Sequence, residues 1–186
     1  FFDMQDLATS IISQTSSDNG SQANWQPAKL SKKVLATHLT RDLPEKESKL
    51  INNWFINNRP NDIHPTISTT TGQIIHNLLA QKTRKGTSDA WDFVSSDTKS
   101  QLAQLSPRSH IGGIKATVLI MHDQNDPLVP ASHSRQLVAA LTNQTNVFYT
   151  EYSSIFEHVS PSLTTGTNAI YEMIRLVKHV QKIMLQ

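Results

Sequence analysis

The chain has 186 residues, is 37% hydrophobic and 17% charged, and carries a formal net charge of +2. That balance excludes disorder throughout, and charge mixed along the chain with no basic stripe argues against a nucleic-acid binder. With no cysteine, disulfides, thiolate nucleophiles, Cys-ligated zinc and iron–sulfur clusters are excluded.

In chain order, residues 1–106 read as helices joined by polar loops. Met4, Leu7, Ala8, Ile11 and Ile12 form a first i, i+3, i+4 stripe. Thr15 to Gln26 has strong turn chemistry and no periodicity. Pro27 suits the first turn of a helix bearing Leu30, Val34, Leu35 and Leu39. Pro44 opens another, with Glu45 and Glu47 where negative charge suits the dipole, and Leu50, Ile51, Trp54 and Phe55 on its face. Thr69, Thr70 and Thr71 offer N-caps for a helix carrying Ile74, Ile75, Leu78 and Leu79, which Gly86 is expected to close. The basic cluster Lys82-Thr83-Arg84-Lys85 is expected at that helix's C-terminus. Two short helical pieces, around Trp91–Val94 and Thr98–Leu105, complete this part. Nothing in it reads as a strand.

Residues 107–186 differ in character. Ala116 to Met121 is a continuous apolar, β-branched run, expected as a strand buried on both faces of a parallel sheet. A loop rich in Asp, Asn and Pro follows, from His122 to Pro130. Ser132 is an N-cap candidate for a helix with Leu137, Val138 and Leu141 on one face. Asn146 to Tyr152 reads as a second strand. A loop from Ser153 to Pro161 holds Glu157-His158, and a last helix is expected at about 167–185. The order is βαβα, which implies a parallel pair with a crossover helix. Two strands alone make a marginal sheet, so further strands are expected outside this sequence.

In open α/β sheets functional side chains lie just past the carboxyl ends of strands. Asp126 follows the first strand and His158 the second, 32 residues later, which fits one helix, one strand and their loops. A carboxylate beside an imidazole fixes its tautomer and stabilises the imidazolium formed during proton transfer. Strand-His122-Asp123-Gln124-Asn125-Asp126-Pro127-Leu128-Val129-Pro130, followed by a helix, a strand and Phe156-Glu157-His158-Val159, resembles the C-terminal end of an α/β-hydrolase. The resemblance implies an α/β fold: the C-terminal βαβα part of an α/β-hydrolase sheet, preceded by an all-helical cap or lid. It implies Asp126 as the catalytic acid and His158 as the catalytic base. His122 matches the first residue of the family's H-G-x-x-D-x-x-V-P pattern and is expected to hold the loop. Asp123 stands where the family has Gly; Asp tolerates left-handed backbone better than most residues.

The family's nucleophile sits at a G-x-S-x-G elbow ahead of the acid and base, and no such motif is present. Gly86-Thr87-Ser88-Asp89-Ala90 is the nearest run, but it lacks a preceding buried strand, and only 38 residues separate Ser88 from Asp126. The chain starts at Phe1 without Met, and the expectation is that it begins after the nucleophile has passed. On that reading it supplies the cap, acid and base of an ester, thioester or amide hydrolase and is inactive alone. Its partners are a segment bearing the nucleophile and a small ester-like substrate. Esterases, lipases, peptidases, epoxide hydrolases and dehalogenases share this Asp–His end. The alternative is a non-catalytic binding or scaffold protein on the same fold. A nicked or split protein is a third reading. No cofactor or metal is implied: the histidines lack ligand spacing, and Asp123 to Asp126 lacks the Gly and Glu of a calcium loop. No apolar run is long enough to span a bilayer and no signal peptide is visible, so a soluble location, the cytoplasm before others, is the expectation.

Overall fold

A computed structural model describes residues 2–16, 25–60, 65–153, 156–157, 160–161 and 167–185. The fold is mixed α/β, and the chain divides into two compact units. One is the helical stretch Asp3–Leu105. The other joins Phe2 to the stretch that starts at Ser106, so the helical unit is inserted into the strand-bearing one.

The helical unit contains α1 (Met4–Ser13), α2 (Lys29–Leu39), α3 (Glu45–Ile56), α4 (Thr70–Ala80), α5 (Arg84–Trp91) and α6 (Ser96–Gln104). Helix α1 is its centre and touches α2, α4, α5 and α6. Leu7, Ala8, Ile11 and Ile12 are buried as their spacing predicts, but so are Thr9, Ser10 and Ser13. Their hydroxyls are spent locally. Thr9 Oγ1 donates to the Gln5 carbonyl at 2.8 Å and accepts from Trp91 Nε1 at 3.0 Å, and Ser13 Oγ donates to the Thr9 carbonyl at 2.7 Å. Buried hydroxyls cost little once paired in this way. The Arg59 guanidinium donates to the carbonyls of Ile12 and Gln81, at the C-terminal ends of α1 and α4. A cation there satisfies carbonyls that a helix leaves unpaired.

Three expectations need correction in this unit. Gly86 does not close α4, which ends at Ala80; it lies in the first turn of α5. The basic cluster therefore sits at a helix start, not a helix end. The reason is local: the Thr83 side chain caps α5 by accepting from Gly86 N at 3.1 Å. Arg84 pairs with Asp6, and Lys85 pairs with Asp89 one turn on, which offsets the unfavourable dipole. Pro27 also lies ahead of its helix rather than in its first turn, since α2 starts at Lys29, whereas Pro44 takes the cap position of α3 and Glu45 and Glu47 fill its first turn as expected.

The strand-bearing unit runs through two 3-10 turns, Pro107–Ser109 and Ile111–Gly113, into β1 (Val118–Asp123). Then come α7 (Ser132–Leu141), β2 (Val147–Tyr152), the two-residue strands β3 (Phe156–Glu157) and β4 (Ser160–Pro161), and α8 (Thr167–Met184). Strands β1 and β2 pair in parallel from Val118↔Val147 to Asp123↔Tyr152, and β3 pairs antiparallel with β4. Phe2, Ile111 and Leu141 form the buried cluster beneath, with Val118, Leu137 and Val147 packed against it. Phe2 is fixed by its backbone as well: its N–H donates to His133 Nδ1 at 3.2 Å and its carbonyl accepts from Arg108 N at 3.1 Å.

The apolar run of β1 is not buried on both faces. Met121 is 46% exposed, because among the described residues β2 is the one strand that pairs with β1 and no further strand covers it. The strand also runs two residues later than expected, so His122 and Asp123 lie in it. Ser132 is the first residue of α7 and Ala131 takes the cap position, with no side-chain cap bond. Among the described residues no helix is long and apolar enough to cross a membrane.

Candidate functional site

The parallel register decides where the chemistry can gather. Asp123 and Tyr152 are partners at the last position of the ladder, so the chain leaves β1 and β2 side by side at one end. A backbone bond ties the two exits together: Gln124 N donates to the Tyr152 carbonyl at 2.7 Å.

Asp126 lies in the loop after β1 and is 5% exposed. Its Oδ1 accepts from the backbone N–H of Leu128 at 2.7 Å and of Val129 at 3.2 Å. This is an Asx turn, and Pro127 between donor and acceptor helps to set it. One turn earlier, Asp123 is buried and its Oδ1 accepts from Asn125 N at 2.9 Å. The Asp that replaces the expected Gly thus builds the start of the loop with its own side chain.

His122 clasps the same loop. Its Nε2 lies 3.0 Å from the Val129 carbonyl and its Nδ1 2.7 Å from Ser134 Oγ. A carbonyl can only accept, so Nε2 carries a proton toward Val129, while the Ser134 hydroxyl can pair with Nδ1 in either direction. Nε2 is also 3.8 Å from Asp126 Oδ2. The imidazole therefore joins the end of β1, the far side of the loop and the first turn of α7, with Asp126 enclosed between them.

On the β2 side, Ser153 N and Oγ both donate to Glu172 Oε1 of α8, at 2.8 and 2.7 Å. This fixes the point where the chain starts toward β3 and β4. His158 falls between those two strands in sequence and lies outside the described residues.

A group that the sequence did not single out braces this end of the ladder. Glu151 accepts a bidentate pair from Arg135 of α7, Nε to Oε1 at 2.6 Å and Nη2 to Oε2 at 2.8 Å, and a further bond from the Tyr149 hydroxyl. Burial alone would raise the Glu151 carboxyl, but the Arg135 and Tyr149 hydrogen bonds outweigh it and hold the group at about 2. Burial, then the Glu151 carboxylate, pushes the Tyr149 phenol well above its ordinary range. The signal was present only as a period-2 spacing of Tyr149 and Glu151 on one strand face.

Ser88, the rejected serine, sits exposed within α5, so it has neither the strand before it nor the sharp turn that an elbow requires. Among the described residues no group of three or more His, Cys, Asp or Glu side chains is placed to hold a metal ion. No family model, curated protein or solved structure matches this chain.

Proposed function

We propose that this chain carries the acid and base of an α/β-hydrolase-type acyl hydrolase, together with its helical cap. The observation that carries the reading is Asp126: a buried carboxylate held by two loop amides at the carboxyl end of a parallel strand, beside the exit of the strand that leads to His158. In the proposed reaction His158 takes the proton of a serine as it attacks an ester, thioester or amide carbonyl, then returns it to the leaving group. Asp126 orients the imidazole and stabilises its charged form. The serine and the backbone N–H donors of an oxyanion hole come from residues beyond these 186. The insertion of Asp3–Leu105 into the strand-bearing unit supports the cap assignment, since a cap is a helical excursion from a sheet domain.

Asp126 allows a test that separates charge from turn building. Asp126→Asn keeps Oδ1, and with it the bonds to Leu128 and Val129, but removes the charge. In the full-length protein, with short- and long-chain acyl esters as substrates, Asp126→Asn is expected to keep the thermal midpoint within a few degrees and to lower kcat/KM by about 10³-fold or more. His158→Ala is expected to do the same. Undiminished turnover in both variants overturns the reading and leaves Asp126 as a turn residue in a binding or scaffold protein.

A further inference from the structure

Helix α8 and the edge of β2 border an open surface cavity of about 180 Å³. Its helix wall is Arg175, Lys178, His179 and Lys182, spaced i, i+3, i+4 and i+7, which places all four on one side of α8. Its strand wall is the stretch from Phe148 to Thr150. Among the described residues no acidic side chain lines it.

Two of the three cations are held by aromatic rings. Lys182 Nζ stands 3.7 Å above the centre of the Phe148 ring. The Arg175 guanidinium lies 5.7 Å from the ring centre of Tyr152 and 5.8 Å from that of Tyr171. Such contacts orient a cation while leaving its N–H groups unspent. His179 is 4% exposed and its Nδ1 is 3.1 Å from Thr150 Oγ1, so it forms a fixed back wall. Burial, then the Lys182 charge, lowers its pKa, which favours the neutral ring. Among the described residues none of the three cations has an ion pair. Like charges at i, i+3 and i, i+4 on one helix repel each other. An anion in the cavity offsets that repulsion and takes donors from three side chains.

We propose that this cavity is a binding site for a phosphomonoester group. A tetrahedral dianion matches one guanidinium fork and two ammonium groups better than a planar, singly charged carboxylate does. The cavity exceeds one phosphate in size, which leaves room for the ester's first carbons. The ester can arrive on a soluble metabolite or as a lipid headgroup. Both present the same oxygens.

The test titrates the chain with phenyl phosphate in solution, and separately with phosphatidylcholine vesicles doped with phosphatidic acid, reading heat or intrinsic fluorescence at low salt. Saturable one-to-one binding is expected in at least one arm. Saturation in solution assigns a soluble ester, and saturation with vesicles alone assigns a headgroup. Lys178→Gln/Lys182→Gln, whose side chains are exposed and which should keep wild-type helicity, is expected to weaken binding at least about tenfold. Lys46→Gln/Lys49→Gln on α3 removes the same charge elsewhere and is expected to leave Kd within about twofold. Absence of saturable binding in both arms overturns the site. So does an equal loss in the two variants, which would mark a general charge effect.

Discussion

At the residue scale, Glu151 shows how a short network can set the acid limit of a unit. Its folded carboxyl sits at about 2, below the ordinary value of 4.5. A depressed carboxyl contributes stability above its unfolded pKa, and that contribution fades as the pH falls through the folded value. The window is thus about pH 4.5 down to 2. Arg135 is partly exposed, so solvent screening limits the pair to about 1 kcal/mol. Arg135→Gln is expected to destabilise the protein by that amount at pH 7 in urea titrations. The gap to wild type should narrow steadily on acidification toward pH 2. A gap independent of pH would show that the arginine acts through packing alone.

Residue-level legibility was uneven for physical reasons. The position of Asp126 after a strand could be read, because strand and loop composition are local signals. That His122 holds the loop was expected, but its partners Val129 and Ser134 follow from the turn that brings those residues back. Arg135, Glu151 and Tyr149 come from a helix and a strand whose facing is set by the fold, so spacing along the chain could not pair them.

At the element scale, the start of α4 illustrates a cap built from two helices. Thr69 Oγ1 accepts from Gly72 N at 3.0 Å and donates to Glu47 Oε2 at 2.6 Å. Glu47 Oε1 accepts from the N–H groups of Ser68 and Thr69. The Thr69 hydroxyl, followed by the two backbone N–H groups, lowers the Glu47 pKa against the opposing effect of burial. Glu47, expected to serve the dipole of its own helix, also serves that of α4. A methyl on Gly72 would stand 2.6 Å from Glu47 Oε2 and 2.7 Å from Thr69 Oγ1. Alanine gains about 1 kcal/mol of helix propensity over glycine, while overpacking costs about 1–3 kcal/mol and breaks this cap. Gly72→Ala is therefore expected to lower stability by about 1–2 kcal/mol, although it improves the intrinsic helix preference. A raised thermal midpoint would refute the two-helix cap. Helix α5 escaped the sequence reading because it carries few apolar residues, Ala90 and Trp91 chief among them, and its cap Thr83 lies inside a basic run. In α1 the apolar stripe was visible, but burial of Thr9, Ser10 and Ser13 was not. A helix ringed by four others buries residues that period alone assigns to solvent.

At the scale of the whole molecule, the strand-bearing unit depends on one residue from the far end of the chain. Phe2 is 8% exposed in the cluster with Ile111 and Leu141. Phe2→Ala is expected to cost about 3 kcal/mol, the usual size for a phenylalanine removed from a core. The loss should be regional. Hydrogen exchange should quicken in β1 and β2 while the amides of α4 keep their protection. Equal acceleration in both would mean that the two units unfold as one.

The bond between Arg108 and Phe2 also has a kinetic side. It closes a loop of about 106 residues, which in a disordered chain costs about 4 kcal/mol of entropy beyond a constant. A helical unit that forms first removes most of that cost, because it gathers its own two ends. The contacts α2–α3, α3–α4 and α4–α5 join neighbours in sequence and can form early, and the packing of α1 on α5 and α6 completes the unit. Folding order is thereby written into the connectivity: the helices assemble as the chain lengthens, and Phe2 waits for its partners until Leu141 has been made.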